Sequence, residues 1–265
     1  MRRNQLMWGV VLLLVGVLML ANSMGVRLPN GKSFMDLFWP LLLILLGGWI
    51  LFGIFFRGTS KTEDVSIELQ GARKASLKLS HGAGEFRVHS GAGLNEYIHA
   101  TITGGVEQKV NRDGDKLDVK LRPSQEIMGI PFIGSSNQLD WDVAINADIP
   151  TVLKLNLGAN KSVIDLHDLN ITDLKLEIGA SETQLTLPAK GRFPVDLDFG
   201  AASLTITIPD GLAARIKASL GAADIKVDES RFPRSGGYYQ SPDYETAINA
   251  ADITIDAGAA SIKIK

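Results

Sequence analysis

Residues 200–209, GAASLTITIP, decide the fold of this chain. Gly-Ala precedes three aliphatics in alternation, Leu204, Ile206 and Ile208, and the run stops at Pro209. A period of two marks a strand with one buried face. Gly followed by a small residue is either a loop that lets a phosphate approach or a corner in the backbone. Recurrence separates the two readings. LKLNLGANKSVIDL, LKLEIGASETQLTLP, VDLDFGAASLTITIP, IKASLGAADIKV and ITIDAGAASIKIK place glycines at 158, 179, 200, 221 and 258. The first four are 21 residues apart, and the last follows after 37, one repeat plus sixteen inserted residues. A weaker copy, LKLSHGAGEFRV, has Gly82 at the corner.

The apolar positions keep this register. Leu153, Leu155 and Leu157 precede one corner, Leu174, Leu176 and Ile178 the next, then Val195, Leu197 and Phe199, then Ile216, Ala218 and Leu220. After the corners come Ile164 and Leu166, Leu185 and Leu187, Ile206 and Ile208, and Ile225 and Val227. Each repeat is therefore two short strands, supported by its β-branched residues and threonines. One repeat cannot cover its own apolar face, whereas stacked copies can. The expectation is a single-chain parallel β-solenoid of about 21 residues per coil, right-handed by the general chirality of parallel crossovers. Pro188 and Pro209 end second strands, where an N–H is no longer required. The corner glycines are expected to supply angles that a Cβ resists, with Ala159, Ala180, Ala201, Ala222 and Ala259 stacking inside the bend. A phosphate loop needs a following helix N-terminus and usually a Lys, and neither follows.

The apolar residues are unevenly spread. Residues 6–21, LMWGVVLLLVGVLMLA, and 37–56, LFWPLLLILLGGWILFGIFF, carry no charge. As helices they would measure about 24 and 30 Å, against a hydrocarbon core of roughly 30 Å. Two transmembrane helices, over about 6–22 and 37–56, form a hairpin within residues 1–58. Trp8, Trp39 and Trp49 lie near the span ends, and Pro40 falls in a first helical turn. A signal peptide is the alternative for the first run, but a convincing small-x-small cleavage site is lacking and a second span follows at once. Arg2 and Arg3 before the first span, and Arg57 and Lys61 after the second, outweigh Arg27 and Lys32 between them and favour cytoplasmic termini. Residues 59–62 read as a linker and 63–265 as the solenoid domain.

Elsewhere the chain nearly balances 27 basic against 29 acidic residues, which implies no nucleic-acid surface. With no cysteine, it has no disulfides, thiolate nucleophiles or cysteine metal sites. Residues 96–149 depart from the repeat. A hairpin is expected around Asp113-Gly114, and Leu139, Trp141, Val143 and Ile145 alternate in a strand that covers the open start of the solenoid. Residues 123–138 read as a loop, with Ile127, Met128, Ile130, Phe132 and Ile133 against the body.

Chemistry is sparse. Two residues before each corner the outward ladder reads Asn156, Glu177, Asp198, Ser219, Asp256, and four before it reads Lys154, Lys175, Asp196, Lys217, Thr254. Glu177 and Asp198 on adjacent coils could bind a cation or share a proton, or form a solvated face whose lysines offset them. No Arg or His stands in register to complete a catalytic set. His81, His89, His99 and His167 lack metal-ligand spacing, and the serines include no nucleophile elbow. No catalytic, cofactor or metal site is expected. The insertion 230–246 carries three of the four tyrosines, Tyr238, Tyr239 and Tyr244, with Arg231 and Arg234. These five residues are either a partner contact, since Tyr and Arg dominate binding hot spots, or a loop folded back on the coil ending at Val227.

FMDLFWPLLLILLGGWILF, following MWGVVLLLVGVLMLANSMG, resembles the membrane region of LiaI/LiaF-like bacterial proteins over about residues 6–56. The Gly-Ala repeats resemble the toastrack domain of LiaF-type proteins and of candidate adhesins over most of 63–265. The resemblance implies a non-enzymatic membrane protein of the cell-envelope stress response, a regulator or scaffold with its solenoid in the cytoplasm. Implied partners are the lipid bilayer, a membrane sensor kinase or other envelope-stress protein, and a second copy of the chain. The competing reading is a surface-exposed adhesin-like binding module, with a hydrolase behind both. Some relatives have four spans where this chain has two. No site residue is carried over.

Overall fold

The computed structural model describes residues 62–124 and 139–265, together with Gly16, Leu20, Pro40 and Leu43, each of them helical. Apart from those four residues, the two expected spans fall outside the described residues, as does the expected packing of Ile127 to Ile133. Among those residues no helix is long and apolar enough to cross a membrane. The chain divides into two units, and every described strand belongs to the one that holds residues 62–124 and 139–265.

Six strands precede the regular repeats: β1 (Thr62–Glu68), β2 (Lys74–Ser90), β3 (Glu96–Thr103), β4 (Val106–Asp113), β5 (Lys116–Pro123) and β6 (Trp141–Ile145). The repeats begin with β7 (Thr151–Asp165), which pairs in parallel with β2 from Ala75 opposite Thr151 to Val88 opposite Ile164. Both strands run through the corner without a break, so each is a complete coil. β8 (Ile171–Ile178) with β9 (Glu182–Thr186), and β10 (Arg192–Phe199) with β11 (Ser203–Thr207), supply the next two coils. Their arms pair in parallel in the expected register, Leu155 beside Leu176 and Leu176 beside Leu197.

The next coil, β12 (Ala213–Leu220) with β13 (Asp224–Val227), does not take the next place. After a small hairpin, β14 (Arg234–Ser235) and β15 (Tyr238–Gln240), the chain returns as β16 (Ala250–Ala257) and β17 (Ser261–Ile264). β16 lies between β10 and β12, and β17 between β11 and β13. The last coil in sequence is thus the penultimate in space, and the corner glycines stack in the order 82, 158, 179, 200, 258, 221. Stacking in sequence order would instead have set β12 directly against β10. β16 and β17 bury Ile253, Ile255, Ile262 and Ile264 almost completely, whereas Ala218, Leu220, Ile225 and Val227 of the outer coil are only half-buried. The inner coil has neighbouring coils on both sides and the outer one on one side only, which is why their burial differs.

The glycines are corrected as well. None of Gly82, Gly158, Gly179, Gly200, Gly221 and Gly258 has a positive φ. Their constraint is proximity. A Cβ on Gly179 would lie 3.1 Å from the Gly158 carbonyl oxygen, on Gly200 3.0 Å from that of Gly179, and on Gly258 2.9 Å from that of Gly200. Each carbonyl accepts from the backbone N–H after the neighbouring corner, as in Ala201 N to Gly179 O at 2.9 Å and Ala259 N to Gly200 O at 2.9 Å. The ladder therefore continues around the bend, and a column of glycines keeps the backbones close enough for it. Ala159, Ala180, Ala201, Ala222 and Ala259 point outward and are exposed. The residue after each turns inward, and Ala202, Ala223 and Ala260 pack on the core.

The start of the solenoid is closed. The first half of β2 pairs with β5, itself in a hairpin with β4 that turns at Gly114 and Asp115. The second half pairs with β6, followed by β3 and β1 in antiparallel order. Trp141, Val143 and Ile145 are buried as their alternation predicts.

Candidate functional site

The coil order remakes the outward ladder beside the corners. In space it reads Ser80, Asn156, Glu177, Asp198, Asp256, Ser219, so three carboxylates stand on consecutive coils instead of two. A shallow depression of about 380 Å³ lies beside them, lined by Asn156, Gly158, Glu177, Gly179 and Asp198 among others. Glu177 accepts from the Asn156 amide and pairs with Lys175 at 3.1 Å. The hydrogen bond that Lys175 donates to Glu177 and the charge of that carboxylate, with smaller help from Asp196 and Asp198, hold the Lys175 ammonium above its ordinary pKa. All of these groups reach water. Among the described residues no group of three His, Cys, Asp or Glu side chains could hold a metal ion. Glu177, Asp198 and Asp256 form an acidic row open to water.

The histidines are dispersed. His89 and His99 flank Ala144 from opposite sides, two strand positions apart. His89 Nε2 lies 2.7 Å from Asp142 Oδ1. Burial pulls the His89 pKa down, but the Ser90 carbonyl and the Asp142 carboxylate outweigh it and the net shift is upward. His81 is interior, packed against Phe86 and Trp141. Its Nε2 is 2.7 Å from the Leu139 carbonyl and its Nδ1 is 3.1 Å from Asn160 Nδ2, while Asn160 Oδ1 accepts from Ser162. The neutral ring fits this chain, with Nε2–H donating and Nδ1 accepting. Burial lowers the His81 pKa against the opposing pull of the Leu139 carbonyl and Asp140. The alternation of 77–81 marked this position as inward, so its burial was legible, while Asn160 as its partner was not.

The five insertion residues separate into two sets. Arg231 donates to the carbonyls of Ile208 at 2.8 Å and Pro209 at 3.1 Å, and its guanidinium covers the ring of buried Phe232. Tyr244 is buried between Arg192 and Arg215, whose guanidinium carbons lie 5.1 and 4.2 Å from its ring centre. Arg215 also donates to Gln240 and pairs with Glu245. Tyr239 packs against the main core. Arg234 and Tyr238, flanking the turn at Gly236 and Gly237, are exposed, with Tyr238 at 36%. Tyr239 and Gln240 of β15 pair with Ile216 and Arg215 on the outer edge of β12. The hairpin thereby shields part of an edge that would otherwise offer free backbone groups. Arg192 and Arg215 belong to this arrangement and escaped sequence reading, because their aromatic partner lies 29 residues or more away.

The stacked coils and their glycine corners define a β-solenoid-like domain. The chain belongs to the family described as the N-terminal domain of toast_rack, whose model matches residues 56–207, and a LiaI-LiaF-like transmembrane region matches residues 6–51. A solved structure of a candidate cell adhesion protein from Clostridium sporogenes is 22% identical, with a TM-score of 0.70, covering 78% of this chain and 99% of that one. At that identity the likeness establishes the fold. A candidate adhesin from Bacteroides fragilis aligns over 77% of this chain and 97% of its own, at 9% identity and a TM-score of 0.29, too low to argue from. No curated protein matches this chain.

Proposed function

We propose that this protein is a non-enzymatic regulator or scaffold of the cell-envelope stress response, multi-pass in the cell membrane, with its solenoid in the cytoplasm. The observation that carries the reading is the union, in one chain, of a LiaI-LiaF-like transmembrane region and a toast_rack domain. A two-sheet coil with continuous side-chain ladders presents a stiff surface to another membrane protein, such as a sensor kinase. Arg234 and Tyr238, on the hairpin, are the exposed members of the five and would meet such a partner. Arg231, Tyr239 and Tyr244 hold the hairpin in place. An adhesin-like module on the cell surface is the second reading, favoured by the solenoid likeness to a candidate cell adhesion protein.

Membrane sidedness distinguishes them. Single cysteines replace Ser33 and Ser261 in this cysteine-free chain, and intact cells are treated with an impermeant maleimide. The regulator reading expects labelling at 33 and protection at 261. The reverse pattern would overturn it in favour of the adhesin. Photo-crosslinking from position 238 in intact cells then tests the partner, with capture of a membrane sensor kinase expected.

A further inference from the structure

Strand pairing assembles a second ladder from residues far apart in sequence. Lys109 stands opposite Lys120, Lys120 beside Lys78, Lys78 beside Lys154, and Lys154 beside Lys175. All five are exposed, on the face opposite to buried Leu77, Leu79, Val119 and Leu121. Five ammonium groups thus cross five neighbouring strands in one row, roughly 19 Å from end to end at the usual strand spacing. Like charges directly opposite one another disfavour a sheet. Lys175 is relieved by Glu177, but Lys78, Lys109, Lys120 and Lys154 have no carboxylate partner among the described residues. The acids flanking the row are mostly engaged, Glu107 by Arg122 and Asp118 by Lys116. Asp173 and Asp196 are the exceptions. The row changes character past Lys175, where the next positions are Asp196 and Thr254.

The place of this row in the fold suggests its counter-charge. Lys109 is three residues, roughly 10 Å, along β4 from Val106. Val106 follows the Gly104-Gly105 turn that leaves Thr103, and Thr103 is paired with Thr62. Thr62 stands eleven residues after the transmembrane match ends at 51, a tether of at most about 40 Å when extended. Lys109, at one end of the row, is thus joined through the first half of β4 and the Gly104-Gly105 turn to Thr103 and its partner Thr62, the first described residue after the transmembrane match.

We propose that Lys109, Lys120, Lys78, Lys154 and Lys175 dock this sheet face on the anionic headgroups of the membrane that anchors the chain. A flat row of flexible ammonium groups suits a field of mobile phosphates, because each lysine acts as a point charge without fixed geometry. A lysine near an anionic leaflet changes the docking equilibrium by about fivefold, so several together give an appreciable docked population.

The test uses the full chain in lipid nanodiscs. A fluorophore on Asn111→Cys reports the lysine face, and one on Ser203→Cys the outward face of the other sheet, each quenched by headgroup spin-labelled lipid. With about 30% phosphatidylglycerol the dye at 111 should be quenched and that at 203 spared. In pure phosphatidylcholine neither should be. About 1 M NaCl, where the screening length is about 3 Å, should abolish the effect. The quadruple variant Lys78→Gln, Lys109→Gln, Lys120→Gln, Lys154→Gln should lower the docking constant at least about tenfold while keeping its melting transition. Equal quenching in the two lipids, or an unaffected quadruple variant, overturns the proposal. Full competition by millimolar inorganic phosphate also overturns it, by making the row a site for small anions. Both leaflets of a nanodisc are alike, so the result does not depend on the membrane sidedness of the proposed function.

Discussion

The glycine column makes a graded prediction. In Gly158→Ala the new Cβ would sit 2.3 Å from the Gly82 carbonyl oxygen, with the Gly82 carbonyl carbon at 3.2 Å. Real Cβ atoms do not approach backbone that closely, so two coils must part by most of an ångström. In Gly258→Ala the corresponding approach is 2.9 Å and in Gly200→Ala 3.0 Å, where a few tenths of an ångström suffice. Overpacking of this kind costs about 1–3 kcal/mol. A weakened ladder bond adds about 1 kcal/mol, since each corner carbonyl is also an acceptor. Gly→Ala recovers roughly 0.4–1 kcal/mol through the unfolded chain. The net expectation is about 2–3.5 kcal/mol lost at 158 and about 1 kcal/mol at 258 and 200, the smaller loss at 200. Gly237→Ala is the control, because nothing lies within 4 Å of its Cβ position and its φ is not positive. It should be neutral or slightly stabilising. Urea midpoints of the fragment 62–265 read all four variants. A midpoint for Gly158→Ala equal to that of Gly237→Ala would refute the view that close approach, and not backbone angle, selects glycine here.

The coil order can be checked with paired cysteines: Asp198→Cys with Asp256→Cys should form a disulfide under mild oxidation, since these Cα atoms are neighbours. Asp198→Cys with Ser219→Cys should not, because two strand spacings, about 9.6 Å, exceed the reach of a disulfide. Leu197→Ala, at a position 2% exposed, should cost about 2–5 kcal/mol, whereas Leu220→Ala in the half-buried outer coil should cost no more than about 1–2 kcal/mol. His81 titrates below its ordinary 6.5 in the folded chain. Between that lower value and 6.5 the unfolded chain binds a proton that the folded chain refuses, so stability falls as pH drops through this window. His81→Gln should flatten that slope in urea midpoints measured from about pH 5 to 8. His89, raised in the folded state, acts with the opposite sign: its contribution is present below 6.5 and fades as pH rises through the folded value. His89→Gln should therefore remove a loss of stability on the alkaline side.

The repeat determined by itself that this chain builds a two-armed coil. Leu174, Leu176 and Ile178 before Gly179, and Leu185 and Leu187 after it, specify two strands and their buried faces, because side-chain direction in a strand depends only on sequence parity. The corner position was equally legible, although its cause was not. Nothing local to Gly200 shows that a carbonyl of another coil lies 3.0 Å from where its Cβ would be. The order of the coils belonged to the tertiary structure alone. Every coil offers the same apolar pattern to its neighbours, so the period says what a coil looks like and leaves its place in the stack open. The exchange of the last two coils is possible because the connection of residues 228–249 is long enough to allow the return. Both charged ladders follow from this and from the pairing of the first strands. Asp256 joins Asp198 only because β16 slips inside β12, and Lys109, Lys120, Lys78, Lys154 and Lys175 form one row only because five strands meet in register. A side chain's face is local information, but its neighbour across a sheet is fixed by long-range pairing.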